Sequence, residues 1–172
     1  MRVFLTGFMG AGKTSVGRML GRRLQLPFRD LDQEIERTAG RRVAEIFARE
    51  GEAGFRRRER EELEGQCQSP RLVLATGGGT VVQPGIADRL RELGRVVWLR
   101  ADFATLIERL ERRARGVRPL FRDAAQARAL YEARLPFYGQ CDLVIEMGPR
   151  EEPSEVAARV ALGLEELVVG GR

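Results

Sequence analysis

The order of apolar and polar residues along the chain predicts short strands that alternate with amphipathic helices. Strands are predicted at residues 2–6, 71–75, 95–99 and 143–146, where short apolar runs occur, and a further short strand is predicted at residues 27–31. Helices are predicted where apolar residues recur every three or four positions, at residues 13–24, 32–38, 43–50, 52–66, 85–93, 103–112, 124–135 and 153–167. This alternation is typical of an α/β fold with a parallel sheet.

The length of the chain suits a single domain, which is predicted to span residues 1–172. The sequence contains no internal repeat, low-complexity tract or long linker. One stretch, residues 113–121, offers few candidates for a core and carries Arg118 and Pro119. That stretch is therefore predicted to be an exposed loop.

The strongest motif lies between the first predicted strand and the first predicted helix. Residues 7–14 match the phosphate-loop pattern G-x-x-x-x-G-K-[ST]. In such a loop, backbone N–H groups and a helix N-terminus bind phosphate oxygens. We expect Lys13 to reach the β- and γ-phosphates and to be catalytic, and the Thr14 hydroxyl to be a Mg²⁺ ligand. The predicted nucleotide-binding residues of the loop are Gly10, Ala11, Gly12, Lys13, Thr14 and Ser15.

The composition adds one clue about the nucleotide. The chain has a net charge of +5, and Lys13 is its only lysine among 30 basic residues. A compact ammonium group suits a phosphate loop better than the planar guanidinium of arginine does. With no second lysine, the guanine-reading motif N-K-x-D of GTPases is impossible, which favours ATP.

The same composition excludes several classes of protein. The chain has no histidine, so Ser/His/Asp and Cys/His catalysis are excluded, and its two cysteines, Cys67 and Cys141, lie too far apart to suggest a zinc site. No apolar run approaches the roughly 20 residues of a membrane span, and the N-terminus lacks a signal peptide, so we expect a cytoplasmic protein. Arginines occur in every predicted helix and aromatic residues make up only 6% of the chain, which argues against nucleic-acid binding.

Two carboxylates follow the second predicted strand. Asp30 and Asp32 are two positions apart, so in an extended segment they would project to the same side and face the phosphate loop. One could hold Mg²⁺ and the other could accept the proton of a hydroxyl group. The alternative is that an aspartate here only caps the following helix.

Four further segments are candidates for ligand contact. One of the arginines at 56–58 could bind an anion, although the segment also reads as a solvated helix face. The glycines at 77–79 follow a strand and would let a ligand approach the backbone, unless they form only a flexible turn. The loop around Arg118 could close over the nucleotide, and Arg134 lies near a predicted helix end.

These motifs, in this order and at these spacings, closely resemble the shikimate kinase family over residues 2–167. The resemblance implies a three-layer α/β P-loop fold of the nucleoside-monophosphate-kinase type with a five-stranded parallel sheet. It also implies a substrate-binding subdomain at residues 31–61 and a lid at residues 112–124. The implied reaction is transfer of the γ-phosphoryl group of MgATP to the 3-hydroxyl of shikimate, by a monomeric enzyme.

The resemblance assigns roles that the residues alone leave open. Asp32 would be the catalytic base, and Asp30 would lie at the Mg²⁺ ion. Arg56 and Arg134 would bind the shikimate carboxylate, since a carboxylate is best held by guanidinium groups. The remaining assignments are substrate contacts from Gly77, Gly78 and Gly79, a catalytic contact of Arg118 with the ATP phosphates, and a position beside adenine for Arg150. The choice between Arg112 and Arg113 as a further phosphate contact stays open.

Three other readings remain. The nearest is another P-loop metabolite kinase, acting on gluconate or a nucleotide, but a neutral or phosphorylated acceptor would use the arginines differently. A nucleic-acid-binding protein is disfavoured by the scattered arginines. A regulatory P-loop module without kinase activity is disfavoured by the presence of Asp30, Asp32 and Arg118.

Overall fold

A computed structural model describes residues 1–113 and 124–169 of the chain. Within these residues five strands form one parallel sheet. The strands are β1 (Arg2–Thr6), β2 (Phe28–Asp30), β3 (Leu72–Ala75), β4 (Arg95–Arg100) and β5 (Leu143–Glu146). Their order across the sheet is β2-β3-β1-β4-β5.

Seven α-helices connect and follow these strands in the described residues. They are α1 (Lys13–Leu24), α2 (Leu31–Ala39), α3 (Val43–Cys67), α4 (Ile86–Leu93), α5 (Phe103–Arg113), α6 (Ala124–Tyr138) and α7 (Pro153–Val169), and a 3₁₀ turn covers Thr80–Val82. The step from β1 to β2 runs opposite to all later steps, so right-handed crossovers place α1 on one face of the sheet and the later connections on the other. Helix α7 packs on α1.

The central strands form the middle of the core. Val3, Phe4 and Leu5 in β1 are completely buried, as are Val73 and Leu74 in β3. The central strands of a parallel sheet are covered on both faces, so they are continuous apolar runs and do not alternate. This explains why apolar runs located β1, β3 and β4, whereas the edge strand β2 is short and carries Arg29 and Asp30. The predicted α/β fold with five parallel strands is confirmed.

The strand register places the functional segments at one edge of the sheet. Ala75, the last residue of β3, is paired with Leu5 of β1 on one side and with Asp30 of β2 on the other. The segments that follow these three strands therefore leave the sheet side by side. They are the phosphate loop, the start of α2 and the glycine run at 77–79.

Some boundaries differ from the predictions. Strand β2 ends at Asp30 because Leu31 already begins α2, so Asp32 lies in a helix and not in an extended segment. The two helices predicted at 43–50 and 52–66 are joined in α3, although Gly51 has a non-helical backbone (φ 68°, ψ −176°). Helix α6 continues past Pro136 to Tyr138, and the 3₁₀ turn was not predicted.

The predicted substrate-binding subdomain, residues 31–61, corresponds to α2 and most of α3 and stays a prediction. Most of the predicted lid at 112–124 lies outside the described residues, as does Arg118. No helix within the described ranges is long and apolar enough to cross a bilayer.

Candidate active site

The phosphate loop leads from β1 into α1 in a conformation that requires glycine. Gly7, Gly10 and Gly12 have positive φ angles of 138°, 83° and 86°, and a Cβ atom on Gly7 would lie only 2.6 Å from the Leu99 carbonyl oxygen. The first turn of α1 contains no acidic residue, so nothing there opposes the positive end of the helix dipole. The loop is therefore built to receive an anion.

Lys13 lies across this loop. Its ammonium group donates hydrogen bonds to the carbonyl oxygens of Gly7, at 2.7 Å, and Phe8, at 3.0 Å. These contacts hold the positive charge against the backbone of the phosphate loop. The role expected of Lys13 at the β- and γ-phosphates stays a prediction.

Thr14 and Asp30 form a hydrogen-bonded pair of oxygen groups beside the loop. The Thr14 hydroxyl donates to Asp30 Oδ2 at 2.6 Å, while Asp30 Oδ1 accepts from the backbone N–H of Gln33 at 3.3 Å and so caps α2. The helix cap and the ligand role, which were set against each other as alternatives, are thus compatible in one side chain. A hydroxyl and a carboxylate at this distance suit a hard cation that also binds phosphates.

Asp32 lies in the first turn of α2 and is largely buried. Its pKa is raised from the ordinary 3.8 to about 6, mainly by burial and then by the negative charges of Asp30 and Glu59, while Lys13 opposes them. A carboxyl group with a pKa near 6 is a stronger base than an ordinary aspartate and is still largely ionised at neutral pH. That combination suits general-base catalysis.

The glycine run at 77–79 is the point at which the other predicted site residues meet. A Cβ atom on Gly77 would lie 3.1 Å from Asp32 Oδ1, and one on Gly78 would lie 3.4 Å from Arg134 Nη1. A Cβ atom on Gly79 would collide with the Arg56 guanidinium. Asp32, Arg56 and Arg134 come from three different helices and all lie close to this backbone. Side chains larger than that of glycine would fill the space between them and the backbone.

Arg56 is the arginine of the 56–58 group that faces this backbone. Its guanidinium lies beside the Phe55 ring, with 5.3 Å to the ring centroid, and Nη1 donates to Glu59 Oε2 at 2.6 Å. Arg58 instead pairs with Glu50, and Arg57 is exposed. Geometry thus separates three arginines that the segment itself left equivalent.

Arg134 comes from the last turns of α6. Its guanidinium lies 5.7 Å from the centroid of the Phe8 ring in the phosphate loop. One turn later, the Tyr138 hydroxyl donates to the Gly78 carbonyl oxygen at 2.5 Å. Burial raises the pKa of Tyr138 to about 12, so the hydroxyl keeps the proton that it donates. Together these contacts tie α6 to the glycine run.

A cavity of about 690 Å³ opens beside these groups. Arg56 and Arg134 line it together with Gly79, and its apolar wall includes Leu130 and Phe137. Two guanidinium groups beside an apolar wall form a site for a small anion with a hydrocarbon body.

A second cavity, of about 380 Å³, lies on the other side of the phosphate loop. The predicted nucleotide-binding residues Gly10, Gly12, Ser15 and Arg150 line it. It also contains residues that the sequence did not indicate, among them Arg109, Arg112, Met147, Pro149 and Pro153. Its position at the start of α1 suits the remainder of a nucleotide whose phosphates lie in the loop.

Two arginines of α5 that line this second cavity donate hydrogen bonds to the backbone after β5. Arg109 donates to the Gly148 carbonyl oxygen, and Arg112 Nη2 donates to the Pro149 carbonyl oxygen at 2.8 Å. The Arg113 side chain and all of Arg118 lie outside the described residues. The choice between Arg112 and Arg113 as a phosphate contact therefore stays a prediction.

The sequence reading missed Glu59. Its carboxylate is completely buried and accepts hydrogen bonds from Arg56, from the Thr80 hydroxyl at 2.6 Å and from Gln83 Nε2 at 2.7 Å. The one signal in the sequence was its spacing of three residues from Arg56, which places the two on the same face of α3. In a run of charged residues that spacing is too common to be diagnostic.

Fold and site together define the class of this protein as an α/β P-loop enzyme, with one cavity beside Arg56 and Arg134 and a second at the start of α1. The family model described as shikimate kinase matches residues 9–165. The chain belongs to the shikimate kinase family.

Relatives in sequence agree with this assignment. A shikimate kinase from Cereibacter sphaeroides is 47% identical over 149 residues, which cover 85% of this chain and 74% of the relative. A shikimate kinase from Symbiobacterium thermophilum is 43% identical over 169 residues, which cover 96% and 97%.

Solved structures agree as well. Shikimate kinase from Aquifex aeolicus has a TM-score of 0.88 and 32% identity, with 99% of both chains covered. The enzyme from Acinetobacter baumannii in complex with shikimate has a TM-score of 0.86 and 34% identity, covering 99% of this chain and 94% of that one. A gluconokinase from Sinorhizobium meliloti, at 17% identity and a TM-score of 0.62, shares the fold alone.

Proposed function

We propose that this protein transfers the γ-phosphoryl group of ATP to the 3-hydroxyl of shikimate, giving ADP and shikimate 3-phosphate for aromatic amino acid biosynthesis. The observation that carries this proposal is the arrangement at the glycine run. There Asp32, Arg56 and Arg134 surround a single stretch of backbone beside the phosphate loop. A base and two carboxylate-binding groups on one side of a nucleotide site match a hydroxy acid as the acceptor.

In this proposal the two guanidinium groups bind the acceptor by its carboxylate. Arg56 and Arg134 both line the cavity of about 690 Å³. Charge-assisted hydrogen bonds of this kind contribute about 1.5–3 kcal/mol each. The backbone of Gly77, Gly78 and Gly79 would contact the ring hydroxyls. A ring held at both ends would leave one hydroxyl directed at the phosphate loop.

Asp32 would accept the proton of that hydroxyl as it attacks the γ-phosphorus. Its largely buried position and its nearness to Glu59 favour the protonated form, which makes the ionised group an effective base. Lys13 would balance the negative charge on the transferred phosphoryl group from the other side. Arg118 would add a further positive charge. Phosphoryl transfer depends mainly on such positioning and charge balance.

Thr14 and Asp30 fit a Mg²⁺ ion that arrives with ATP. Mg²⁺ is commonly bound by one or two protein oxygens together with substrate phosphates, and Thr14 Oγ1 and Asp30 Oδ2 are 2.6 Å apart. No cluster of three or more carboxylate, thiol or imidazole groups suited to a metal occurs in the part of the chain that the structure describes. When bound, the ion would neutralise charge on the β- and γ-phosphates. Arg150 would lie beside the adenine, at the cavity on the far side of the loop.

The remaining features of the proposal concern the protein as a whole. We propose that it acts as a monomer in the cytoplasm, with small molecules as its substrates. The residues proposed to bind shikimate and ATP line two cavities of a single chain, which is compatible with a monomer.

ADP release from MgATP, measured in a coupled assay, tests the proposal. Strong stimulation by shikimate, with none by gluconate or AMP, is the expected result. Stimulation by gluconate or AMP instead would replace the acceptor and keep the kinase activity. No stimulation by any of the three would overturn the assignment of the cavity beside Arg56 and Arg134.

A further inference from the structure

A buried carboxylate holds the Arg56 side chain in place. Glu59 is completely buried and accepts from three side-chain donors, of which Arg56 Nη1 is one, at 2.6 Å. The other two, Thr80 Oγ1 and Gln83 Nε2, come from the 3₁₀ turn and from the residue after it. A carboxylate with three fixed donors has one orientation, and it transmits that orientation to the guanidinium that it binds.

The side-chain amide of Gln83 is itself held in a single orientation. Its amide nitrogen donates to Glu59 Oε2 at 2.7 Å, and its amide oxygen accepts from Arg60 Nη1 at 2.6 Å. Turning the amide over would set its oxygen against the carboxylate and its NH₂ group against the guanidinium, and both contacts would be repulsive. Arg60 therefore determines which face of the Gln83 amide meets Glu59.

This network joins the two components that form the acceptor cavity. Arg56, Glu59 and Arg60 lie on α3, whereas Gln83 closes the turn that begins directly after Gly79. The Arg56 guanidinium and the Gly79 backbone are in turn so close that a Cβ atom on Gly79 would collide with the guanidinium. A shift of the turn relative to α3 would thus move the guanidinium and the glycine backbone against each other.

We propose that Gln83 is a positioning residue for the acceptor carboxylate: it acts through Glu59 on Arg56, and Arg60 acts only by orienting the Gln83 amide. The proposal rests on the proposed function, because it assumes that Arg56 binds the carboxylate of the acceptor. Gln83 and Arg60 also line the acceptor cavity, but the proposal assigns neither of them a direct contact with the substrate. Its consequence is a selective loss of acceptor binding when either residue is changed.

The test compares the KM for shikimate, the KM for ATP and kcat in Gln83→Met and the unmodified protein. Methionine keeps the length of the side chain and removes both hydrogen bonds. We expect the KM for shikimate to rise about 10-fold, in line with one lost hydrogen bond to a charged group, with the KM for ATP and kcat changed less than about twofold. Gln66→Met is the matched control: Gln66 also donates to a glutamate of α3, Glu62, but does not line the acceptor cavity.

A double-mutant cycle tests the part played by Arg60. Arg60 is exposed, so Arg60→Ala should fold even if Gln83→Met does not, and it should raise the KM for shikimate about 3-fold by itself. In the Gln83→Met background the same change should have no further effect. An equal effect in both backgrounds would overturn the coupling and make Arg60 an independent contact.

The outcomes separate this proposal from the proposed function. Absence of shikimate phosphorylation by the unmodified protein would overturn both. Normal phosphorylation together with an unchanged KM for shikimate in Gln83→Met and in Arg60→Ala would overturn the positioning role alone. Parallel rises in the KM for shikimate and the KM for ATP would do the same, because they would show a general loss of structure.

Discussion

The carboxylates of Asp32 and Glu59 meet at the same side of Gly77, where any other residue would carry its Cβ atom. A Cβ atom on Gly77 would lie 3.1 Å from Asp32 Oδ1 and 2.6 Å from Glu59 Oε1. Burial contributes most to the raised pKa of Asp32, and the negative charges of Asp30 and Glu59 raise that pKa further. Glu59 thus has two effects, because it also holds the guanidinium of Arg56.

The raised pKa of Asp32 predicts the pH dependence of catalysis. Asp32 can accept a proton only when it is ionised, and its pKa is about 6. We therefore expect kcat to fall about tenfold for each pH unit below 6, and to be nearly constant from 7 to 8. The measurement is kcat at saturating shikimate and MgATP from pH 5 to pH 8.

Asp32→Asn is the control for this pH profile. It should lower kcat by about 10²–10⁴-fold at pH 7–8 and abolish the fall in kcat below pH 6, while ATP still binds, because an amide cannot act as the base and does not titrate. A kcat that stays constant down to pH 5 in the unmodified protein would contradict the raised pKa. Unchanged turnover in the Asn variant would remove Asp32 as the base.

Ionisation of Asp32 should also lower the free energy of unfolding. Its pKa in the folded protein, about 6, lies above the ordinary value of 3.8, so the folded state binds the proton more tightly than the unfolded state does. This contribution favours folding below about pH 4 and is lost as the pH rises through 6. Asp32→Asn should therefore raise the free energy of unfolding at pH 8 by about 1–3 kcal/mol, and by little at pH 4. Urea denaturation at the two pH values measures the difference, and equal effects at both would contradict the prediction.

Arg56→Ala and Arg134→Ala should weaken shikimate binding selectively. Each change removes a guanidinium from the acceptor cavity, and we expect the KM for shikimate to rise about 10- to 100-fold with the KM for ATP changed less than about threefold. Arg57→Ala is the control, since Arg57 is the exposed neighbour of Arg56 on the same helix. A similar loss of ATP and shikimate binding in the first two variants would mean that these arginines do not bind the acceptor.

The sequence predicted the fold better than it predicted the details of the site. Strands β1, β3 and β4 are continuous apolar runs because both faces of the sheet are covered. Their location therefore follows from the local sequence alone. The phosphate loop is likewise local, because its glycines and its lysine act within eight consecutive residues. Both predictions needed no knowledge of distant contacts.

Glu59 and Asp32 show which features of the site could not be predicted from the sequence. Glu59 lies in a run of charged residues that looks solvent-exposed, and only the approach of Thr80 and Gln83 from the 3₁₀ turn buries it. Asp32 was expected in an extended segment, but Asp30 caps α2 and starts the helix one residue earlier. For Glu59, a contact between segments distant in sequence decides the burial. For Asp32, the choice between a strand and a helix decides where the side chain lies. Arg56 was chosen among three arginines only through the family resemblance.

Gly79→Ala should impair acceptor binding by displacing Arg56. Gly79 has an ordinary backbone conformation (φ −111°, ψ 1°), so alanine introduces no backbone strain, but its Cβ would collide with the guanidinium. We expect the KM for shikimate to rise about 10-fold, with the KM for ATP unchanged. Gly65→Ala is the control, since a Cβ atom there meets nothing within 4 Å, and in helix α3 it should add about 0.5–1 kcal/mol of stability. An unchanged KM in Gly79→Ala would show that Arg56 can bind the acceptor from a second position.

Two buried threonines at the ends of neighbouring strands should respond oppositely to valine. Thr6 Oγ1 has no hydrogen-bond partner among the described residues, whereas Thr76 Oγ1 donates to the Leu5 carbonyl oxygen at 3.1 Å. Both side chains are almost completely buried, at 1% and 2% exposure, so the hydroxyl of Thr6 loses its hydration without compensation. Thr6→Val should therefore raise the free energy of unfolding by about 1–2 kcal/mol, and Thr76→Val should lower it by about 1 kcal/mol. Urea denaturation of the two variants at one pH measures both signs, and a loss of stability in Thr6→Val would mean that its hydroxyl is satisfied in solution, because a buried water bonded to it would be lost with the hydroxyl.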